Sequence, residues 1–441
     1  MNYTSKVKNI LNSCIEEISQ CKEKYLVNPE KDFSRTKKLS FESTIKSLIA
    51  MGGQTLSKEI MDIWDYKPNL PTSSAFVQRR SQIKSSRFKD LFDCFNRKIS
   101  QDKLYMGKYH LIAVDGSDIA IAYDKFDTDS FNINQAEKPV SMLHINAAYD
   151  LMNNRYTDII IQKRAKENEH TSFCKFVSNA QYVDNSAIYI ADRGYESYNN
   201  FAHIIEANQY FLIRIKDINS HNSILEKFHF PDEPFDKHIT MKLSKKGSKD
   251  IVYSNDPSVR WLPSNSNFDF LDKPASYLSP AEFYLLPVRF VRFQISDNSY
   301  ELIATNLPDT VFTPDDIKIL YNKRWGIETS FRNLKYSIGL SSFHAKKREL
   351  IYQEIFARLL FFNFSQIVIS HLTTRNLSRK FAYMVNFSDA IPVLRRFFLD
   401  KLAPDKTDTL ILKFTSPIRP GRNDLRKLKT KGVTSFIYRI A

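Results

Sequence analysis

The stretch AIYIADRGYESYNNFAHIIEANQYFLIRI, residues 187–215, decides the fold. Residues 187–191 are a wholly apolar run of strand length that ends in Asp192-Arg193-Gly194-Tyr195. A helical segment at 197–207 follows, and then a second apolar run at 210–215. Strand, helix and strand in that order describe a unit of an α/β sheet, with Asp192 left at the end of a strand.

Working toward the N-terminus, residues 109–114 (YHLIAV) form a buried-strand pattern that ends in Asp115-Gly116-Ser117. The glycine predicts a turn there, which would expose Asp115 at the strand terminus. Two further strands, 143–151 and 156–162, are joined by the turn Met152-Asn153-Asn154-Arg155, and a helix is predicted from about 169 to 179. Three strands followed by alternating helix and strand give a mixed α/β sheet with helices on its faces.

Downstream, Tyr321, Arg324, Glu328 and Lys335 fall at spacings that put all four on one helical stripe. At about 100° per residue they span an arc of roughly 60°. Thr313 can cap this helix, Pro314 suits its first position, Asp315 and Asp316 favour its positive end, and Gly339 can close it. Leu320, Ile327, Phe331, Leu334 and Ile338 form an adjoining apolar stripe, so the polar four lie at the border of the core. Alone, the stripe reads first as a solvated face with Arg324 paired to Glu328, and each aspartate alone as a turn residue. Together, three carboxylates on two strand ends and a helix supply the oxygen ligands that divalent metals need.

The pattern Tyr321-x-x-Arg324-x-x-x-Glu328-x-x-x-x-x-x-Lys335 resembles the Y-R-E-K signature of the insertion sequence 4 family of bacterial transposases. Asp115 in DGS and Asp192 in DRGY resemble that family's first two acidic residues, with Glu328 the third. FLIRIK at 211–216, LIATNLP at 302–308, LYNKRWGIE at 320–328 and FHAKK at 343–347 are further phrases of the family, and the likeness runs from about Asp32 to the C-terminus. It implies a ribonuclease-H-like catalytic fold and a DDE transposase. Such an enzyme cuts transposon ends and joins them to target DNA, in related enzymes through a hairpin intermediate, and works as a homodimer on double-stranded DNA.

Charge suggests the division of labour. Three carboxylates repel one another unless cations compensate, so two Mg²⁺ or Mn²⁺ ions are expected at Asp115, Asp192 and Glu328. Tyr321, Arg324 and Lys335 are placed to hold the DNA end beside them, and Arg193 can reach phosphate or pair with a carboxylate. A metal-dependent nuclease of the same fold would share the carboxylates but join nothing. A domesticated DNA-binding protein would have lost the reaction.

Lys plus Arg exceed Asp plus Glu by 64 − 49 = 15, a positive balance suited to a polyanion. Cys14, Cys21, Cys94 and Cys174 show no metal-ligand spacing, so reduced thiols and a cytoplasmic location are expected. The most apolar run, 359–372, is interrupted by polar residues and too short to span a bilayer, so no membrane role is expected.

Five regions are expected: an N-terminal helical DNA-binding region (1–105), the catalytic core in two parts (106–216 and 301–375), a β-rich insertion (217–300) and a basic C-terminal region (376–441). In the first, helices at 41–51, 56–64 and 75–84 can form a DNA-reading unit. Gln78 would face base edges, while Arg79, Arg80 and Lys84 would hold phosphates. In the insertion, 239–243, 250–254 and 284–295 read as strands, with a turn at 296–299, and Trp261, beside Arg260, reads as a core residue, with stacking on an extruded base as the alternative. His344 reads as structural or as a DNA contact. Arg419, Arg422, Arg426, Lys427, Lys429 and Lys431 give the tail its charge, and Phe436 and Tyr438 suggest that it docks.

Overall fold

The computed structural model describes residues 2–35, 38–100, 103–133, 139–276, 279–296, 299–372, 382–418 and 437–438. Its centre is a ten-stranded sheet. The strands are β1 (His110–Ile121), β2 (Phe131–Ile133), β3 (Pro139–Asp150), β4 (Arg155–Lys163), β5 (Ala187–Ala191), β6 (Tyr210–Ile215), β7 (Phe235–Ser244), β8 (Val259–Trp261), β9 (Tyr284–Ser296) and β10 (Ser299–Thr305).

β1, β5 and β6 run parallel in the middle, because the helix between β5 and β6 returns the chain to the same edge. β3 pairs antiparallel with β1 on one side, and β4 with β3. On the other side the order continues β6, β10, β9, β7, β8. This is the mixed, helix-flanked sheet of a ribonuclease-H-like fold.

The β-rich segment after β6 therefore extends the central sheet through β7, β8 and β9. Residues 250–254 are not a strand as expected: Lys249–Val252 is a helical turn, begun by Ser248, whose carbonyl accepts from the N–H groups of Ile251 and Val252. Asp250 in its first turn favours that start. Asp297 and Asn298 of the expected turn lie outside the described residues, although β9 and β10 pair antiparallel on either side of them.

The helices are α1 (Tyr3–Gln20), α2 (Phe41–Ala50), α3 (Leu56–Ile63), α4 (Ser73–Arg80), α5 (Ser86–Lys98), α6 (Glu169–Asn179), α7 (Tyr198–Glu206), α8 (Lys249–Val252), α9 (Pro314–Lys323), α10 (Trp325–Arg332), α11 (Arg348–His371), α12 (Phe387–Phe398) and α13 (Pro404–Lys413). α6 and α7 pack on one face of the sheet through Phe173, Phe176 and Phe201, against Ile112 and Val114 of β1. On the other face α10 and α11 share one apolar core with α1 to α5, joined by Leu11, Leu48, Phe92, Ile327, Phe331 and Phe362.

The apolar run at 359–372 covers the second half of α11 and its cap, buried over 359–365, and among the described residues no helix is long and apolar enough to cross a membrane. Cys14 and Cys174 are buried, Cys21 and Cys94 partly so, and all four are free thiols. Arg419, Arg422, Arg426, Lys427, Lys429, Lys431 and Phe436 lie outside the described residues, while 437–438 pair in parallel with Ser342–Phe343.

Candidate active site

β1 and β5 stay paired up to Val114 and Ala191, and there they part. The next residue on each is an aspartate. Asp192 turns off into a short helical turn, Arg193–Tyr195, with its carboxylate accepting from the Arg193 N–H at 2.6 Å. Asp115 does not end its strand as expected, because β1 continues to Ile121 on the hydrogen bonds of the long β3. What ends at Asp115 is the pairing with β5, and this opens a notch between the two aspartates. Gly116 makes no turn. It makes room, since a Cβ there would stand 2.4 Å from Glu169 Oε1 and from His144 Nε2.

The helix after Thr313 closes the notch from one side. Thr313 and Asp316 form a reciprocal capping box, and Pro314 occupies the first turn, as their order in the sequence predicts. The helix is not one regular α-helix. α9 gives way to α10 at Arg324, whose N–H bonds back to the Tyr321 carbonyl, and Asn333–Ile338 form a π turn ended by Gly339 at φ 101°. The wider turn re-aims Lys335, a use of π geometry common at functional sites.

Tyr321, Arg324 and Lys335 reach the strand residues or the turn that follows them, and Glu328 is tied to them through Arg324. The Tyr321 hydroxyl donates to Asp192 Oδ1 at 3.2 Å. The Arg324 guanidinium lies between the two carboxylates, 2.9 Å from Glu328 Oε1 and 3.8 Å from Asp192 Oδ2. Lys335 Nζ donates to Ser117 Oγ and to the Asp118 carbonyl, each at 2.8 Å. Arg214 on β6 adds a contact that the sequence reading missed, with Nε 2.9 Å from Asp192 Oδ1. Its only signal was a charged residue in an apolar strand beside the one that ends in Asp192.

The charges explain one another. Burial pushes the Asp115 carboxyl up to about 6, against the pull of the Gly116 N–H and of Arg324 and with help from Glu328 and Glu169. Burial also opposes the charge on Asp192, but the Arg193 N–H, Arg324 and Arg214 outweigh it and hold that carboxyl below its ordinary range. Burial lowers Lys335, with Asp118 and Asp115 restoring part of the difference. Arg324 ties Glu328 to Asp192, Glu328 acts on Asp115 through its charge, and of the three carboxylates Asp115 alone has no ion pair among the described residues. That oxygen-rich set fits a hard divalent ion such as Mg²⁺ or Mn²⁺.

A second group adjoins this one. Asp118, His144 and Glu167 place ligand-type atoms within 4.8 Å of one another. His144 Nδ1 lies 2.8 Å from Asp118 Oδ1 and 3.2 Å from Glu167 Oε2, and Arg164 pairs with both carboxylates. Burial works against a charged imidazole, but Asp118 and Glu169 overcome it and raise His144 to about 9. Cations of the protein already neutralise this group. A buried histidine amid the alternation of β3 was its sequence signal.

The remaining expected residues fall in two sets. Arg193 and Gln78 are exposed. Arg79 and Arg80 are not available for phosphate contact, because α4 ends at Arg80 and both side chains turn inward. Arg79 donates to the Leu39 carbonyl and covers the Phe33 ring. Arg80 is fully buried against Glu354, with Gln353 and the Leu350 carbonyl as further partners. His344 is buried and tied to Glu354 and the Gln54 carbonyl, which makes it structural. Trp261 is 41% exposed rather than in the core, because β8 is the last strand of the sheet and pairs only with β7.

Residues 106–364, more than half of the chain, match the family model of the transposase DDE domain. Among solved structures the chain is similar to a piggyBac transposase synaptic complex with hairpin DNA, at 10% identity and a TM-score of 0.47, covering 94% of this chain and 84% of that one. No curated protein matches the sequence.

Proposed function

The chain belongs to the transposase DDE domain family, and from that premise we propose that it cuts the ends of a mobile element and joins them to target DNA by a cut-and-paste route. In this reading it is a member of the insertion sequence 4 group. Asp115, Asp192 and Glu328 are the catalytic carboxylates, and they hold two Mg²⁺ or Mn²⁺ ions. The observation that carries the assignment is the notch itself: two aspartates in adjacent register where β1 and β5 part, one of them, Asp192, bridged to a helical glutamate by Arg324.

Bound metal would polarise the scissile phosphodiester and lower the pKa of the attacking hydroxyl. The protein's own residues do the rest. Asp115, pushed up to about 6 by burial, is available as a carboxylate at neutral pH, and the carboxylates would fix where the phosphate sits. Arg324 is buried and Lys335 half-buried, their present partners are carboxylate, hydroxyl and carbonyl oxygens, and they stand as the donors for a phosphate entering the notch. Tyr321 orients Asp192 through its hydroxyl. Arg193, exposed beside Asp192, and Gln78, exposed on α4, are the proposed outer contacts with the DNA end. A hairpin intermediate and a homodimer on DNA belong to the same proposal.

Strand transfer separates a transposase from a nuclease. Purified protein, DNA carrying a pair of terminal inverted repeats sought on either side of its coding sequence, Mg²⁺ and a target plasmid should yield joined products. Nicked ends without joining would favour the nuclease, and tight binding without cleavage would favour a domesticated DNA-binding protein.

A further inference from the structure

We propose that Glu169, the first residue of α6, is a fourth carboxylate of the metal centre and that His144 is the residue that positions it. The inference rests on the metal site at Asp115, Asp192 and Glu328 and names a further member of it.

The position of Glu169 is fixed from both sides of the notch. A Cβ on Gly116 would stand 2.4 Å from its Oε1, and a Cβ on Gly194 would stand 3.6 Å from its Oε2. Gly116 follows Asp115, and Gly194 lies two residues beyond Asp192. The two oxygens of Glu169 thus span the opening between the strands that carry the two aspartates, and both neighbours are glycine. At Gly116 even a methyl group would displace the carboxylate.

Glu169 is also held in place. The buried ring of His144 binds Asp118 through Nδ1, which turns Nε2 toward Glu169 Oε1 at 3.1 Å. Asn168 caps α6 by accepting from the Thr171 N–H, so the backbone that carries the glutamate is fixed as well. Its side chain stays 34% exposed, open to an incoming ligand.

A separate observation is a buried polar group near these carboxylates that lacks a partner. Tyr195 is 2% exposed, and its hydroxyl has no hydrogen-bond partner among the described residues. A buried hydroxyl without a partner is costly, and most such groups in folded proteins are satisfied by protein, water or a ligand. Burial pushes this phenol well up, and Glu169 and Asp115 push it further, which places the hydroxyl in the field of both carboxylates. Water in the coordination shell of an ion held by Glu169 and Asp115 would satisfy it.

Mn²⁺ binding to the DNA-free protein at pH 7.5, followed by electron paramagnetic resonance, tests the assignment without reference to activity. Glu169→Gln keeps the shape of the side chain and an oxygen for His144, so a purely structural glutamate would tolerate it. The expected result is a loss of Mn²⁺ affinity of about 10-fold or more, with Glu169→Asp recovering part of it. Wild-type affinity in Glu169→Gln, alongside a clear loss in Asp115→Asn, would overturn the inference and leave the three-carboxylate site standing. If the wild type binds no Mn²⁺, the three-carboxylate site fails and the inference fails with it. Should Glu169→Gln not fold, Glu169→Asp decides: an affinity equal to wild type overturns the assignment.

Discussion

Asp115 and Asp192 carry the same functional group one residue beyond the same strand pair, yet their surroundings drive them apart. Burial and two neighbouring carboxylates raise Asp115 to about 6, while the Arg193 N–H and the charges of Arg324 and Arg214 hold Asp192 low. For Asp115 the folded pKa lies above the ordinary 3.8. Its contribution to stability is therefore fully present below that value and is lost as pH rises through about 6. The metal-free protein should accordingly melt at a higher temperature as Asp115→Asn than as wild type at pH 7.5, by an amount equivalent to at most about 3 kcal/mol. Calorimetry at pH 5 and 7.5 checks this, since the gain should shrink at the lower pH. In wild type, Mn²⁺ affinity should fall as pH drops through about 6. Lys335 makes a different prediction: Lys335→Ala should weaken binding to end DNA and reduce the salt slope of that binding by about 1, with Mn²⁺ affinity unchanged. Filter binding across a salt series would show it, and an unaltered slope would remove Lys335 from the phosphate contacts.

At the scale of elements, the strands and helices that build the site were legible because their periodicities are strong. The runs at 187–191 and 210–215 and the helix at 169–179 are observed with those bounds. The errors have local causes. Gly116 in Asp-Gly-Ser carries a turn signature, but β3 offers a partner all the way to Ile121, and tertiary pairing overrides the local preference. The chain from Tyr321 to Lys335 keeps a helical period, and nothing in that period announces the tightened turn at Arg324 or the π turn at Lys335. Arg80 looked like a phosphate contact because a surface arginine and a buried one share the same letter, and its partner Glu354 is remote in sequence. Gly116→Ala tests the observed element directly. The methyl group would meet Glu169 and His144 at 2.4 Å, so the variant should lose metal affinity while a circular dichroism spectrum remains close to wild type. Wild-type affinity would mean that the notch is looser than its geometry indicates.

Across the whole molecule, a buried ionic network fastens the N-terminal helices to the sheet side of the core. Glu354 on α11 bonds Arg80 at 2.9 Å and Arg358 at 3.0 Å, and it accepts the His344 N–H at 3.0 Å. Burial opposes its charge, but Arg80 and Arg358 prevail and hold the carboxyl far below its ordinary range. Glu354→Ala would leave two guanidinium groups buried without their anion, at a cost of about 3–5 kcal/mol, readable by urea denaturation. A change below about 1 kcal/mol would mean that the network contributes like an exposed pair. Through this network and the shared core, α1 to α5 are anchored to the same α11 that packs on the π turn carrying Lys335, so DNA held by the N-terminal helices would be fixed relative to the notch. That organisation matters only if the notch performs the chemistry. The most direct measurement is Mg²⁺-dependent cleavage of end DNA by wild type beside Asp115→Ala, Asp192→Ala and Glu328→Ala, each shown to fold and to bind the DNA. Cleavage by wild type and a loss of about 100-fold or more in every variant is the predicted result; cleavage that survives any one of the three substitutions would contradict the site.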